Sequence, residues 1–383
     1  MLSSACSGDA REVHPGFGNA PVPTAGAGGS AASDPVPVLP RPTEVDPTLV
    51  PEGMTLRAAA EASGHLIGIA LQAGRLRDEP QYAATAAAEF NYVTAENEMK
   101  WNSLQREPGT FNFGPADEIV AFAEQNGMQV KGHTLVWHSQ LPMWVQALAT
   151  PDEVRSAMLT HISTVVTHYR GRVSSWDVVN EAWQDNGSAL RDSVFFTQLG
   201  EGFIDEAFRA ARAADPDAKL YYNDYGAEGN SRKAGSIYAM VQGMLQRGVP
   251  IDGVGMQMHT RSVGNVTPSI VEFNSNMQRL RELGLEVVIS ELDVATCSGL
   301  AMDDRMTQQG SRYYDIVSAC VSEPACSAVT IWGVIDRYSW LNNNQQRQSA
   351  GCAAGQQPLA LLFDDSYAKK PAYAGVLSAL RGM

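Results

Sequence analysis

From residue 51 onward the chain alternates short apolar runs with longer segments of helical period, and it does so eight times. That alternation leaves few folds open. The strand candidates are 65–70, 92–95, 129–137, 173–180, 219–223, 251–258, 286–290 and 328–334. The helical segments are 55–62, 81–89, 115–125, 151–168, 202–214, 233–247, 268–283 and 307–322. Two of them open on a capping residue followed by proline, Thr150-Pro151 and Thr267-Pro268, which suits the first helical turn. Eight strands alternating with helices predict an α/β chain of the (β/α)8, or TIM, barrel type. A doubly wound sheet is the other topology such alternation allows, but no G-x-G-x-x-G follows the first strand.

The first fifty residues read differently. Pro, Gly, Ala and Ser dominate, as in Pro21-Val22-Pro23 and Gly26-Ala27-Gly28-Gly29-Ser30, and neither a helix nor a strand period is present. Residues 1–50 are therefore predicted to be a disordered Pro/Gly/Ala-rich tether or leader remnant, and 51–383 a single barrel domain. Small residues before Cys6 make it a candidate lipid-anchor site, although Leu2 stands one position too far from it for a regular lipoprotein signal.

Charge narrows the partners. The chain of 383 residues carries 28 Lys and Arg against 42 Asp and Glu, a formal charge of -14, which disfavours nucleic acid and anionic membrane surfaces. No stretch approaches the roughly 20 apolar residues of a membrane span. The five cysteines contain no C-x-x-C pair, so neither a metal site nor a thioredoxin-like redox site is expected. A monomer is expected.

Polar residues cluster where the predicted strands end. Glu96, Asn97 and Glu98 follow the second strand, and His133, Trp137 and His138 lie on the third. Asn180 and Glu181, Asn223 and Asp224, and Gln257 and His259 continue the series, followed by Glu291 and Asp293 and by Trp332, Asp336 and Trp340. In a parallel barrel the strands are buried on both faces, and the loops at their C-terminal ends carry the site. The inventory of carboxylates, amides and tryptophans, without a G-x-S-x-G elbow, a P-loop or H-E-x-x-H, suits a sugar polymer. Aromatic faces stack on pyranose rings, and two carboxyl groups can hydrolyse a glycosidic bond. Glu181 and Glu291 are the best pair for that work.

The segments 94–101, 132–138, 176–181, 223–225, 253–259 and 289–293, with Ile331-Trp332-Gly333-Val334, Asp336, Ser339 and Trp340, resemble glycoside hydrolase family 10, the endo-β-1,4-xylanases. The resemblance implies a retaining endo-acting hydrolase of xylan and xylo-oligosaccharides that needs no metal or organic cofactor. It assigns Glu181 as acid/base and Glu291 as nucleophile, with Asn180, His259 and Asp293 in support. Substrate-binding positions are implied at Glu96, Asn97, Lys100, His133, Trp137, Tyr225, Gln257, Trp332 and Trp340. Trp101 and His138 are left open between core and contact. Met258, Thr260 and Gly226 depart from the usual family residues, and the amide-rich segment 341–357 is either a flap or a polar extension of the cleft. The family also suggests a Cys320–Cys326 bridge. Cys297 and Cys352 follow the seventh and eighth strands, so a second bridge is expected across the rim, in an enzyme that is secreted or held at the cell surface. A β-1,4-glucanase or mixed-linkage glucanase is the alternative enzyme, and a non-catalytic polysaccharide-binding protein the alternative outside catalysis.

Overall fold

The computed structural model describes residues 53–263 and 268–382. The expectations for residues 1–50, Cys6 and Thr267 lie outside the described residues. Among those described, nine strands form: β1 (Leu66–Leu71), β2 (Tyr92–Ala95), β3 (Gln129–Trp137), β4 (Ser175–Asn180), β5 (Lys219–Asp224), β6 (Gly253–Met256), β7 (His259–Arg261), β8 (Glu286–Ala295) and β9 (Cys326–Ile331). Hydrogen-bonded neighbours run β6-β5-β4-β3-β2-β1-β9-β8, and a β6–β8 pairing closes the ring of eight parallel strands. This is a (β/α)8 barrel.

The differences from expectation have local causes. The run 251–258 does not form one strand, because Met258 takes a left-handed φ of 61°. The chain leaves β6 there and resumes as β7, which pairs with the outer half of β8, His259 opposite Asp293. That pairing carries β8 five residues past the expected end at Ser290. The helix expected at 268 begins at Ile270, because Ser269 forms a capping box. Its hydroxyl accepts from Glu272 N at 3.2 Å, and Glu272 Oε2 accepts from Ser269 N at 3.0 Å. The helix expected at 307 begins at Met302. The buried Arg305 in its first turns donates to the Thr296 and Gln357 carbonyls at 2.8 and 3.1 Å, a reason invisible to an apolar period.

Six α-helices among the described residues were not anticipated, five of them of four to six residues, and the longest is the last. Pro371–Leu380 completes the ring after β9 and packs on Met302–Ser322 through Gly375, where a Cβ would meet Gly310 O at 2.2 Å. Only glycine permits that approach. Among the described residues no helix is long and apolar enough to cross a membrane.

Inside the ring, Tyr92, Tyr221, Val288 and Ala328 fill the N-terminal end as a small apolar cluster. Their hydroxyls are satisfied, Tyr92 Oη lying 2.6 Å from Ser175 Oγ and Tyr221 Oη donating to Glu286 Oε2 at 3.0 Å. Further along the axis Lys131 Nζ pairs with Asp177 Oδ2 at 2.7 Å, both side chains fully buried. The polarity of the interior thus rises toward the C-terminal end, where the cleft opens.

Candidate active site

Register sets the first rung of the site. Trp137 on β3 lies beside Asn180 on β4, which lies beside Asn223 on β5, which lies beside Gly255 on β6. A Cβ at Gly255 would sit 2.2 Å from Asn223 Oδ1, so the glycine leaves room for the amide. Asn223 Nδ2 donates to Glu291 Oε1 at 2.8 Å and lies 2.9 Å from the Asn180 side-chain amide, while Asn223 Oδ1 accepts from Ser290 Oγ at 2.6 Å. Gln257 Nε2 donates to Glu181 Oε1 at 2.8 Å and approaches the same Asn180 amide at 3.4 Å. An amide relay therefore links the two carboxylates.

Glu181 follows β4 at a φ of 53°, a left-handed conformation that a non-glycine residue adopts at a cost of about 1–3 kcal/mol. Its backbone is held by Glu181 N donating to Asn223 O at 2.9 Å and by Arg191 Nε donating to Glu181 O at 3.1 Å. The carboxylate takes a second donor, Trp137 Nε1, at 2.8 Å on Oε2. Its aim into the cleft is thus fixed from both ends.

Glu291 is buried, and His259 Nε2 lies 3.2 Å from its Oε2. Burial alone would raise its pKa. The His259 hydrogen bond and the charges of His133, His259 and Lys131 outweigh that and hold the carboxyl at about 2. The reverse balance acts on His259. Burial disfavours its charged form, yet Asp293 and Glu291 raise it from 6.5 to about 10. The imidazolium therefore donates from Nδ1 to Asp293 Oδ2 at 2.9 Å and from Nε2 to Glu291. Asp293 Oδ2 accepts from Trp340 Nε1 as well, at 2.7 Å.

Around these groups runs a cleft of about 1080 Å³. Glu96, Asn97, Lys100, His133 and Trp137 line it on the β2 and β3 side. Lys100 Nζ donates to Asn97 Oδ1 at 3.0 Å and stands 5.1 Å from the Trp137 ring centroid. Burial lowers its pKa, opposed by Glu291, Glu96 and Glu181. Burial raises that of Glu96, opposed by the Gln72 hydrogen bond. Trp332 meets the His133 ring edge-on with centroids 5.4 Å apart, and Trp340 lies 4.7 Å from the His259 ring. Gln257 and Tyr225 line the opposite side. Tyr225 donates its hydroxyl to Asp185 and accepts from Arg191, while Lys233 Nζ lies 3.5 Å from its ring centroid and pairs with buried Asp224 at 2.7 Å.

His138 lines the cleft, whereas Trp101 belongs to the core, stacked on the His161 ring at 3.8 Å. Asp336 does not reach the cleft and is bonded to buried Lys370 at 2.8 Å. The segment 341–357 extends the cleft: its helix Asn344–Ser349 contributes Gln345, Gln346 and Ser349 to the wall. Cys297 is joined to Cys352 and Cys320 to Cys326.

Two contributions escaped the sequence. Asp177 holds Nδ1 of the cleft-lining His133 at 2.8 Å. The signal for it was Lys131, a charge inside a strand buried on both faces, which needs a buried partner. Glu228 accepts from Met258 N at 2.9 Å and so holds the left-handed residue that precedes His259. Nothing in the local pattern around Glu228 marks that role, since its partner is thirty residues away.

Known proteins resemble this chain closely. Endo-1,4-beta-xylanase B of Thermotoga neapolitana is 39% identical over 330 residues, covering 85% of this chain and 91% of that protein. The endo-1,4-beta-xylanase of Agaricus bisporus is 39% identical over 321 residues, covering 83% and 92%. The crystal structure of xylanase 10B from Thermotoga petrophila RKU-1 in complex with xylobiose superposes with a TM-score of 0.80 at 39% identity, over 86% of this chain and 98% of that one. The model of glycosyl hydrolase family 10 matches residues 55–379, and the chain belongs to that family.

Proposed function

We propose that the protein is a retaining endo-1,4-β-xylanase in which Glu181 is the acid/base and Glu291 the nucleophile. The observation that carries the assignment of roles is the asymmetry between the two carboxylates. Glu291 is buried and held ionised by an imidazolium, as a nucleophile must be. Glu181 is half-buried on a strained turn at the cleft wall, with Arg191 and Gln257 fixing its approach.

In the first step Glu291 attacks the anomeric carbon while the proton of Glu181 passes to the departing glycosidic oxygen, leaving a glycosyl ester on Glu291. In the second, Glu181 takes a proton from water, which attacks the same carbon and expels Glu291. Two inversions give net retention. Asn180 stands beside Glu181 where it can bond the sugar 2-hydroxyl, a contact that strengthens as the ring gains oxocarbenium character. Trp332 and Trp340 close the glycone end, and Asp293 locks Trp340 in place. A rigid indole there leaves no room for an exocyclic hydroxymethyl group, which xylose lacks and glucose carries.

Residues 51–383 form the catalytic unit in this reading, and residues 1–50 serve as a tether of an exported monomeric enzyme. The two disulfides support an oxidising compartment.

Reducing-sugar release separates the substrates. Release from xylan at least tenfold above that from carboxymethylcellulose is expected, about the discrimination that steric mismatch of one group provides; equal rates would refute the steric argument. For the roles, Glu181→Ala is expected to lose about 10²–10⁴-fold on xylan and much less on a dinitrophenyl xylobioside, whose leaving group needs no proton. Azide should restore part of the rate on the xylobioside and yield a β-xylobiosyl azide. Equal losses on both substrates without azide rescue would remove Glu181 from the role.

A further inference from the structure

The helix Asn344–Ser349 stands between two spaces. On one side Gln345, Gln346 and Ser349 border the cleft. On the other, Gln346 and Ser349 border a second cavity of about 410 Å³, shared with Arg261, Trp340, Leu341 and Ala350. A short helix between two cavities has little packing to hold it, so its position depends on its anchors. Asn343 Oδ1 caps its start, accepting from Gln345 N at 2.9 Å and Gln346 N at 3.2 Å. Arg261, two residues beyond His259 on β7, donates from Nη2 to Ser349 O at 2.5 Å. Cys352 N donates to Arg347 O at 3.0 Å, and the Cys352 side chain is bonded to Cys297, two residues past the end of β8. Among the described residues neither the Gln345 nor the Gln346 side-chain amide hydrogen-bonds another protein group. Each presents one acceptor and two donors toward the space that the substrate occupies.

We propose that this helix is an additional substrate-binding wall, in which Gln345 and Gln346 take hydroxyl groups of a xylan chain outside the sugars held by Trp332 and Trp340, and that the Cys297–Cys352 bridge positions it. The inference rests on the xylanase reading above and deepens it. Arg261 lies about 7 Å along an extended strand from His259, so the anchor of the wall stands away from the reacting carboxylates. A substrate of two sugars with an aryl leaving group would lie mostly within the centre of the cleft, whereas a long chain would run past the wall. Preorganisation explains the bridge: a helix held in the bound position loses no freedom when substrate arrives.

The readout is the ratio of kcat/KM for xylohexaose to kcat/KM for an aryl β-xylobioside. The Gln345→Ala/Gln346→Ala variant is expected to lower that ratio about fivefold, the effect of one or two net hydrogen bonds. Arg261→Ala and Cys297→Ser/Cys352→Ser are expected to lower it in the same direction, the first without disturbing a disulfide. An unchanged ratio in the glutamine variant overturns the wall. A lowered Tm with an unchanged ratio in both anchor variants overturns the positioning role. A wild-type enzyme that cleaves neither substrate would overturn the xylanase reading instead.

Discussion

One oxygen of Asp293 accepts from both His259 Nδ1 and Trp340 Nε1, so a single carboxylate sets the orientation of the imidazole against Glu291 and of the indole in the cleft wall. Replacing His259 tests the electrostatic half of that arrangement. In His259→Asn the carboxyl of Glu291 loses a neighbouring positive charge, and the acidic limb of kcat/KM is expected to move up by about 1–3 pH units. The same pair governs stability. The His259 pKa is raised from 6.5 to about 10, so its contribution is complete below 6.5 and is lost as pH rises toward 10. The Glu291 pKa is lowered from 4.5 to about 2, so its contribution is complete above 4.5 and is lost as pH falls toward 2. The contribution of this pair to Tm should therefore be greatest between pH 4.5 and 6.5, and His259→Asn should flatten the alkaline fall; an acidic limb that stays in place would break the link between His259 and Glu291. The positions of His259, Glu291 and Asp293 were legible because each is a polar group at the end of an apolar run, where a buried strand tolerates none without a reason, whereas their roles came from the family resemblance. Asp177 and Glu228 were not, because their partners are fixed by strand register and loop contact rather than by neighbours in sequence.

At the scale of elements, the strand runs were readable and the irregular pieces between them were not. β2 and β3 fall on the expected residues, because their ends are marked by a change from apolar to polar. β7 could not be foreseen, since the break at Met258 depends on Glu228 holding its backbone from another loop. Segment 341–357 was ambiguous for a related reason: its order comes from Asn343 capping, Arg261 and a disulfide, none of which leaves an apolar period. The two disulfides should differ in weight. Cys297–Cys352 closes 55 residues and Cys320–Cys326 closes 6, which in the chain-entropy picture corresponds to about 4 and about 2 kcal/mol. Cys297→Ser/Cys352→Ser is therefore expected to lower Tm more than Cys320→Ser/Cys326→Ser. The opposite order would show that the short bridge, which ties the end of Met302–Ser322 to the start of β9, protects native packing rather than limiting the unfolded chain.

For the molecule as a whole, the barrel supplies its own closure: β6 pairs with β8, and the helix Pro371–Leu380 seats on Met302–Ser322 through two facing glycines. The eightfold count was readable because each buried parallel strand must be an apolar run. The final helix was missed because the sequence between 341 and 370 breaks the alternation that would have announced it. A closed ring with its own terminal helix has no evident need of the fifty residues that precede it. Those residues contain no apolar period, so their sequence offers little surface to bury against a partner, and burial is the main source of docking energy. Deleting residues 1–50 is accordingly expected to leave Tm within about 2 °C of the full chain, because a change of one kcal/mol moves a protein of this size by only a few degrees. Activity on soluble xylan should be equal in the two forms, and only retention at the cell surface should differ. A Tm lower by many degrees in the shortened chain would show instead that the segment packs on the barrel, and a selective loss on insoluble xylan would make it part of substrate capture.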